Sequence, residues 1–233
     1  MLILGIDSTA QTAAVALCTE DTVVATGSIN AKLTHSQTLL PLCEALLANA
    51  KGTLADVDAF AVSAGPGSFT GLRIGVSMAK GFAHATGKPC IAVSTLEALA
   101  ENLRGFHGII CAAMDARCKQ VYNALFRADR EGIVRLCEDR AITLEALSGE
   151  LAAYAGERIL FVGDGAELAH DAFGSGELAP LPLRRQLGTS VCAVALRGTT
   201  VTAAELAPSY LRIPQAERER AARIAGEKNT QNS

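Results

Sequence analysis

The chain has 233 residues, 49% apolar and 19% charged, with a formal net charge of −3 and no Trp. That length suits one domain or two small, closely packed ones, and the charge balance leaves no basic footprint for gripping RNA or DNA unaided. No run of about 18 apolar residues marks a membrane span, and MLILGID, which lacks a basic leader and carries Asp7, reads as a buried first strand rather than a signal peptide. After MLILGID, TAAVALCT and DTVVATGSI read as second and third strands, joined by short turns, the later one at Glu20-Asp21. A helix is expected over about 36–50, a strand over 57–64, a helix over 70–86 and a fifth strand in PCIAVS.

The order β-β-β-α-β-α-β is that of one half of a ribonuclease-H-like sheet. Near 101–105 the pattern restarts: GIICAAMDA, QVYNALFRA and IVRLCEDRAI read as three more strands, followed by a helix near 144–155, a strand in RILFVG and further helices. Two halves with three leading antiparallel strands suggest a duplicated α/β fold with mixed sheets, although no clean sequence repeat is visible. The expected units are 1–103, 104–213 (the smaller half) and 214–233, a polar tail. The tail, QAERERAARIAGEKNTQNS, has too little apolar content to anchor itself and reads as dispensable to the core. The seven cysteines are odd in number and form no C-x-x-C pair, so they read as reduced thiols in the cytoplasm, mostly core filler.

The stretch SAGPGSFTGLRIG over 63–75 invites a phosphate-loop reading. It fails the P-loop pattern, which needs G-x-x-x-x-G-K-[ST], and it misses the G-x-G-x-x-G fingerprint by one residue, because Gly65 and Gly67 are followed by Gly71. Gly65-Pro66-Gly67 reads as a sharp strand-to-helix turn, with Ser68 or Thr70 capping the helix. On a helical wheel the 70–86 segment collects Arg73, Ser77, Lys80 and His84 in one narrow polar stripe. Gly71, Gly75 and Ala79 form a row of small residues beside a row of Ile74, Met78 and Phe82. In the preceding helix Leu39, Leu42, Cys43 and Leu46 share a face that Leu40 and Leu47 widen. Both helices have more to bury than one core-facing stripe. Either they are wedged between the sheet and the second half, or they form a partner surface on which the small-residue row admits another backbone.

IDST near the start, THSQTLLP, SAGPGSFTGLRIGVSMAKGFAHATGKPCIAVSTLEALA, MDAR, VGDGA and PSYLR together resemble the bacterial TsaB (YeaZ) family, through most of 1–213. The resemblance implies an actin-like, sugar-kinase-like ATPase fold of two similar halves. It implies a part in making threonylcarbamoyladenosine in tRNAs that read codons beginning with A, as a non-catalytic subunit. In that family TsaD performs the transfer and the ATPase TsaE joins them. The two helices are where the family pairs with TsaD, or with itself when TsaD is missing. The expected partner surface is therefore Leu39, Leu42, Cys43, Leu46, Gly71, Ile74, Gly75, Met78, Ala79 and Phe82. No cofactor is expected on the chain alone, ATP or ADP only in the complex, and tRNA is met indirectly through it.

Candidate chemistry is thin. TsaD proteins carry two histidines one helical turn apart, a spacing that suits metal ligation; here the residue one turn beyond His35 is Leu39, so His35 reads as a capping or packing residue. Asp7, Ser8 and Thr9 occupy the first-strand end where the actin-like fold places its phosphate loop. The usual D-x-G-[ST] reads Asp7-Ser8-Thr9-Ala10, without the glycine that lets backbone approach a phosphate, and a remnant self-bonded turn is favoured. Asp115 and Arg117 read as a structural pair or turn, and Asp164 within Gly163-Asp164-Gly165 as a second nucleotide loop or an ordinary turn. No G-x-S-x-G elbow supports peptidase chemistry. An autonomous ATPase or phosphotransferase of the sugar-kinase type stays as the alternative to the assembly subunit.

Overall fold

Alternation along Ile3–Asp7 (β1) sends Ile3 to one face of a sheet and Leu4 and Ile6 to the other. The same period sorts Ala13–Cys18 (β2), and both strands are buried along their whole length, as the centre of a sheet covered on two sides requires. The structure, a computed structural model, describes residues 1–212; the expected tail at 214–233 lies outside them.

The first sheet is completed by Val23–Ile29 (β3), Ala59–Gly65 (β4), Cys90–Ser94 (β5) and, far along the chain, Thr200–Val201 (β12), in the order β12-β5-β4-β1-β2-β3. β1, β2 and β3 are antiparallel, and β1, β4 and β5 run parallel. The second sheet is built from Gly108–Asp115 (β6), Gln120–Ala128 (β7), Ile133–Arg135 (β8), Arg140–Thr143 (β9), Ile159–Val162 (β10) and Glu177–Leu178 (β11). Its path is β11-β10-β6-β7-β8, with β9 also on β7. Two mixed sheets with the same leading antiparallel meander give the actin-like, sugar-kinase-like α/β fold.

Helices His35–Asn49 (α1) and Phe69–Thr86 (α2) cover the outer face of the first sheet, where Leu39, Cys43, Leu46, Val76, Ala79 and Phe82 pack on Leu4, Ile6, Val15 and Phe60. Thr95–Glu101 (α3) and Gly188–Ala195 (α6) lie between the two sheets. Leu144–Leu151 (α4) and Ala166–Phe173 (α5) cover the far face of the second sheet. α1 and α2 are thus on the outside of the molecule, not wedged between the halves.

Three features depart from the sequence reading. IVRLCEDRAI is not one strand. Arg135 turns back to Asp139, Ser94 and Glu97, and the chain breaks into β8 and β9, which pair with different stretches of β7. α3 was not expected; it is short, and Ser94 caps it by accepting from the Glu97 N–H at 3.2 Å. Residues 188–201, assigned to the second half, return to the first sheet. α6 can lie on β1 and β2 because Gly5 and Gly188 face each other there: a Cβ on Gly5 would sit 2.6 Å from Cys192 Sγ, and one on Gly188 would collide with Val15 backbone.

Candidate functional site

The glycines of 63–75 serve the chain's own backbone. A side chain on Gly65, at φ +138°, would strike the Ser209 carbonyl, and a Cβ on Gly67 would lie 2.7 Å from Thr9. Cβ atoms on Gly71 and Gly75 would strike the carbonyl and hydroxyl oxygens of Ser8. The amino end of α2 is therefore pressed directly onto the β1–β2 turn. Ser68 caps the helix, accepting from the Gly71 N–H at 3.4 Å, while its own N–H donates to the Thr9 carbonyl at 2.7 Å.

That contact closes the turn where a phosphate loop would open. Ser8 Oγ donates to the Gly71 carbonyl at 2.8 Å. Thr9 donates to Asp7 Oδ1 from both N–H and Oγ1, at 2.9 and 2.8 Å. Ser63 Oγ donates to Asp7 Oδ2 at 2.6 Å, a partner that no local motif announces. Burial pushes the Asp7 carboxyl above its usual range, against the pull of these donors. Both hydroxyls of the turn are thus engaged internally, and the residues do not fit a phosphate-binding loop. His35 joins the brace: its Nε2 donates to the Ala10 carbonyl at 2.6 Å, tying the start of α1 to the same turn.

Beside the turn, a cleft of about 550 Å³ runs between the halves, lined by Thr9, Gln11, Ser68, Phe69, Met114, Asp115, Arg117, Tyr122, Asp164, Tyr210 and Arg212, among others. Asp164 stands in the turn from β10 to α5. Its flanking Gly163 and Gly165 press against the end of β6, where side chains would strike Ala113 and Met114. Asp164 Oδ1 is buried without a hydrogen-bond partner among the described residues. Burial raises its pKa to about 6; Arg185 favours the charge while Asp115 and Asp7 oppose it. Asp115 and Arg117 do not form an ion pair; Asp115 Oδ1 accepts from the Arg117 N–H at 2.7 Å in a local turn. Among the described residues no group of His, Cys, Asp and Glu is placed to hold a metal ion.

The chain's last described stretch straps this cleft. Ser209 N–H donates to the Ala64 carbonyl at 2.7 Å, and Arg212 Nη1 donates across the halves to the Ala116 carbonyl at 2.6 Å. Tyr210 packs on Phe69 with ring centroids 5.0 Å apart. These contacts span long sequence distances, and no spacing pattern reveals them.

The expected partner surface divides sharply. Leu39, Cys43, Leu46, Gly71, Gly75, Ala79 and Phe82 face the sheet and belong to the monomer's core, with Ala79 fully buried. The small-residue row admits the backbone of Ser8, not that of a partner. Leu42, Ile74 and Met78 are the members that keep an outward side, only partly buried against the core. On the same two helices Leu40 (44% exposed), Arg73, Ser77 and His84 are exposed, as is Leu33 (58%) just ahead of α1.

A family model described as TsaD, tRNA N6-adenosine threonylcarbamoyltransferase, matches residues 28–225. The chain is 34% identical over 224 residues to the tRNA threonylcarbamoyladenosine biosynthesis protein TsaB of Bacillus subtilis, a match that covers 93% of this chain and 96% of that protein. With TsaB of Escherichia coli the identity is 32%, over 91% of this chain and 95% of the other. YeaZ from Pseudomonas aeruginosa superposes with a TM-score of 0.77 at 26% identity, over 90% of this chain and 99% of that structure. The chain belongs to the TsaB (YeaZ) family.

Proposed function

We propose that this chain is the non-catalytic assembly subunit of a complex that forms threonylcarbamoyladenosine in tRNA, holding a TsaD-type transferase through the outer face of α1 and α2, with a TsaE-type ATPase joining them. The observation that carries the reading is apolar side chains left partly or largely in solvent on two adjacent helices: Leu42, Ile74 and Met78 are only partly buried, and Leu40, with Leu33 just ahead of α1, is exposed. Two copies of the chain meet through the same face when the partner is missing. The names of its relatives supply the pathway. The closed Asp7–Thr9 turn counts against the alternative of an autonomous ATPase or phosphotransferase, because its hydroxyls serve α2 and Asp7. ATP or ADP then belongs to the assembled complex, and the reduced thiols fit the cytoplasm.

Met78→Glu tests this. A carboxylate forced into a desolvated contact costs several kcal/mol, about a hundredfold or more in dissociation constant. Because Met78 is only half-buried in the monomer, its melting temperature should move little. The expected result is a wild-type complex with the TsaD-type partner by sedimentation, lost in the variant. Unchanged association would remove the reading.

A further inference from the structure

The strap and the β6–β7 hairpin bring an unusual set of groups to one mouth of the cleft. The Arg73 guanidinium lies 4.0 Å over the Phe69 ring, and Phe69 packs on Tyr210 with centroids 5.0 Å apart and the rings tilted by 36°. Arg73 Nε also donates to the Tyr210 hydroxyl at 3.2 Å, which holds that ring in place. Tyr210 remains 40% exposed. Opposite it, the hairpin tip Arg117-Cys118-Lys119 is exposed and held in the left-handed region, with φ of 62°, 54° and 57°. Arg212, also in the cleft lining, is anchored to Ala116 at the base of that hairpin. In a chain whose formal charge is −3, the cleft lining brings Arg117 and Arg212 together with Asp115 and Asp164, while Arg73 adjoins Tyr210 and Lys119 adjoins Arg117 in the hairpin tip.

We propose that this rim is a direct contact for single-stranded RNA, with an unpaired base stacked on the exposed face of Tyr210 and its neighbouring phosphates met by Arg117, Lys119 and Arg212. An exposed aromatic ring whose hydroxyl and one edge are already held is a pre-ordered stacking platform for an unpaired base. Cations on both sides of it track a phosphate backbone. The inference rests on the chain being a subunit of a tRNA-modifying complex, and it goes further: the chain itself touches the RNA, and its acidic overall balance conceals a locally basic rim.

The test is fluorescence anisotropy with a labelled, unmodified anticodon stem-loop RNA, titrated with the full chain alone and in complex with its TsaD-type partner. Tyr210→Ala should weaken binding about 5- to 100-fold, the range of one lost base stack. Tyr210→Phe, which keeps the ring, should stay within about threefold of wild type. Replacing Arg117 and Lys119 by Gln should flatten the dependence of log K on log salt by about 0.7 per removed charge. RNA binding that ignores all of these substitutions, or no RNA binding in either form, overturns the proposal. An intact heterodimer with that insensitivity would leave the assembly role standing. Tyr210-dependent RNA binding by a chain that fails to join the partner would do the reverse.

Discussion

Gly71 and Gly81 lie on the same helix, and the structure assigns opposite signs to the same substitution at the two positions. In a helix interior, Gly→Ala is worth up to about 1 kcal/mol of stabilisation, because alanine restricts the unfolded chain. At Gly81 a Cβ meets nothing within 4 Å, so Gly81→Ala should realise that gain and raise the melting temperature by about 2–4 °C for a chain of this size. At Gly71 the Cβ would lie well under 3.0 Å from the Ser8 carbonyl oxygen, a backbone atom that no rotamer change can move. Relief requires α2 to retreat from the β1–β2 turn. That movement stretches the Ser8 Oγ–Gly71 and Ser68–Thr9 hydrogen bonds of 2.8 and 2.7 Å. Two such bonds at about 1 kcal/mol each, with an overpacking cost of about 1–3 kcal/mol, outweigh the propensity gain. The net is a loss of about 2–4 kcal/mol, or roughly 5–15 °C in melting temperature. Thermal unfolding followed by circular dichroism reads both variants side by side. Gly71→Ala melting at or above wild type would refute the claim that the glycine row exists for the chain's own turn.

Ala79→Glu separates interior from interface in the same way: Ala79 is fully buried in the monomer, so the carboxylate should destabilise the fold by several kcal/mol. A soluble Ala79→Glu monomer with a normal melting temperature would mean that this helix face has been misplaced. Asp164→Asn should stabilise the chain in a pH-dependent manner. Burial raises the Asp164 carboxyl from 3.8 to about 6 in the fold, so the folded state holds this proton more tightly than the unfolded chain does. Stability therefore falls as pH climbs between those values, by up to about 3 kcal/mol, and stays low above them. Asn does not ionise, so the variant should melt higher than wild type at pH above about 7 and lose that advantage below about 4. A melting difference that does not vary with pH would contradict the buried, unpaired carboxyl.

Much of this architecture is legible in the residues. The near-continuous apolar runs in MLILGID and TAAVALCT mark buried strands, and the serine ahead of Phe69 marks a helix start. Thr9, standing where D-x-G-[ST] has its glycine, announces a turn that does not open. What was illegible is long-range. The row Gly71, Gly75, Ala79 signals close backbone approach, but a row of small residues does not name the backbone that approaches, and here it is Ser8. Wheel geometry placed Leu39, Cys43 and Leu46 together without saying whether that face meets the chain's own sheet or another molecule. The return of α6 and β12 to the first sheet depends on Gly5 meeting Gly188 and Cys192, residues far apart in sequence. α3 escaped because seven residues give barely two helical turns of pattern.

Reconstitution of threonylcarbamoyladenosine formation on unmodified tRNA, with the TsaD-type and TsaE-type partners and variants of this chain, is the measurement closest to the central claim. If the chain assembles the complex and does no chemistry, Asp164→Asn should support turnover within about twofold of wild type, while Met78→Glu should support almost none at equal fold stability. Full turnover with Met78→Glu, or loss of turnover with Asp164→Asn, would contradict the account: the first would empty the α1–α2 face of its role, and the second would place chemistry in the cleft.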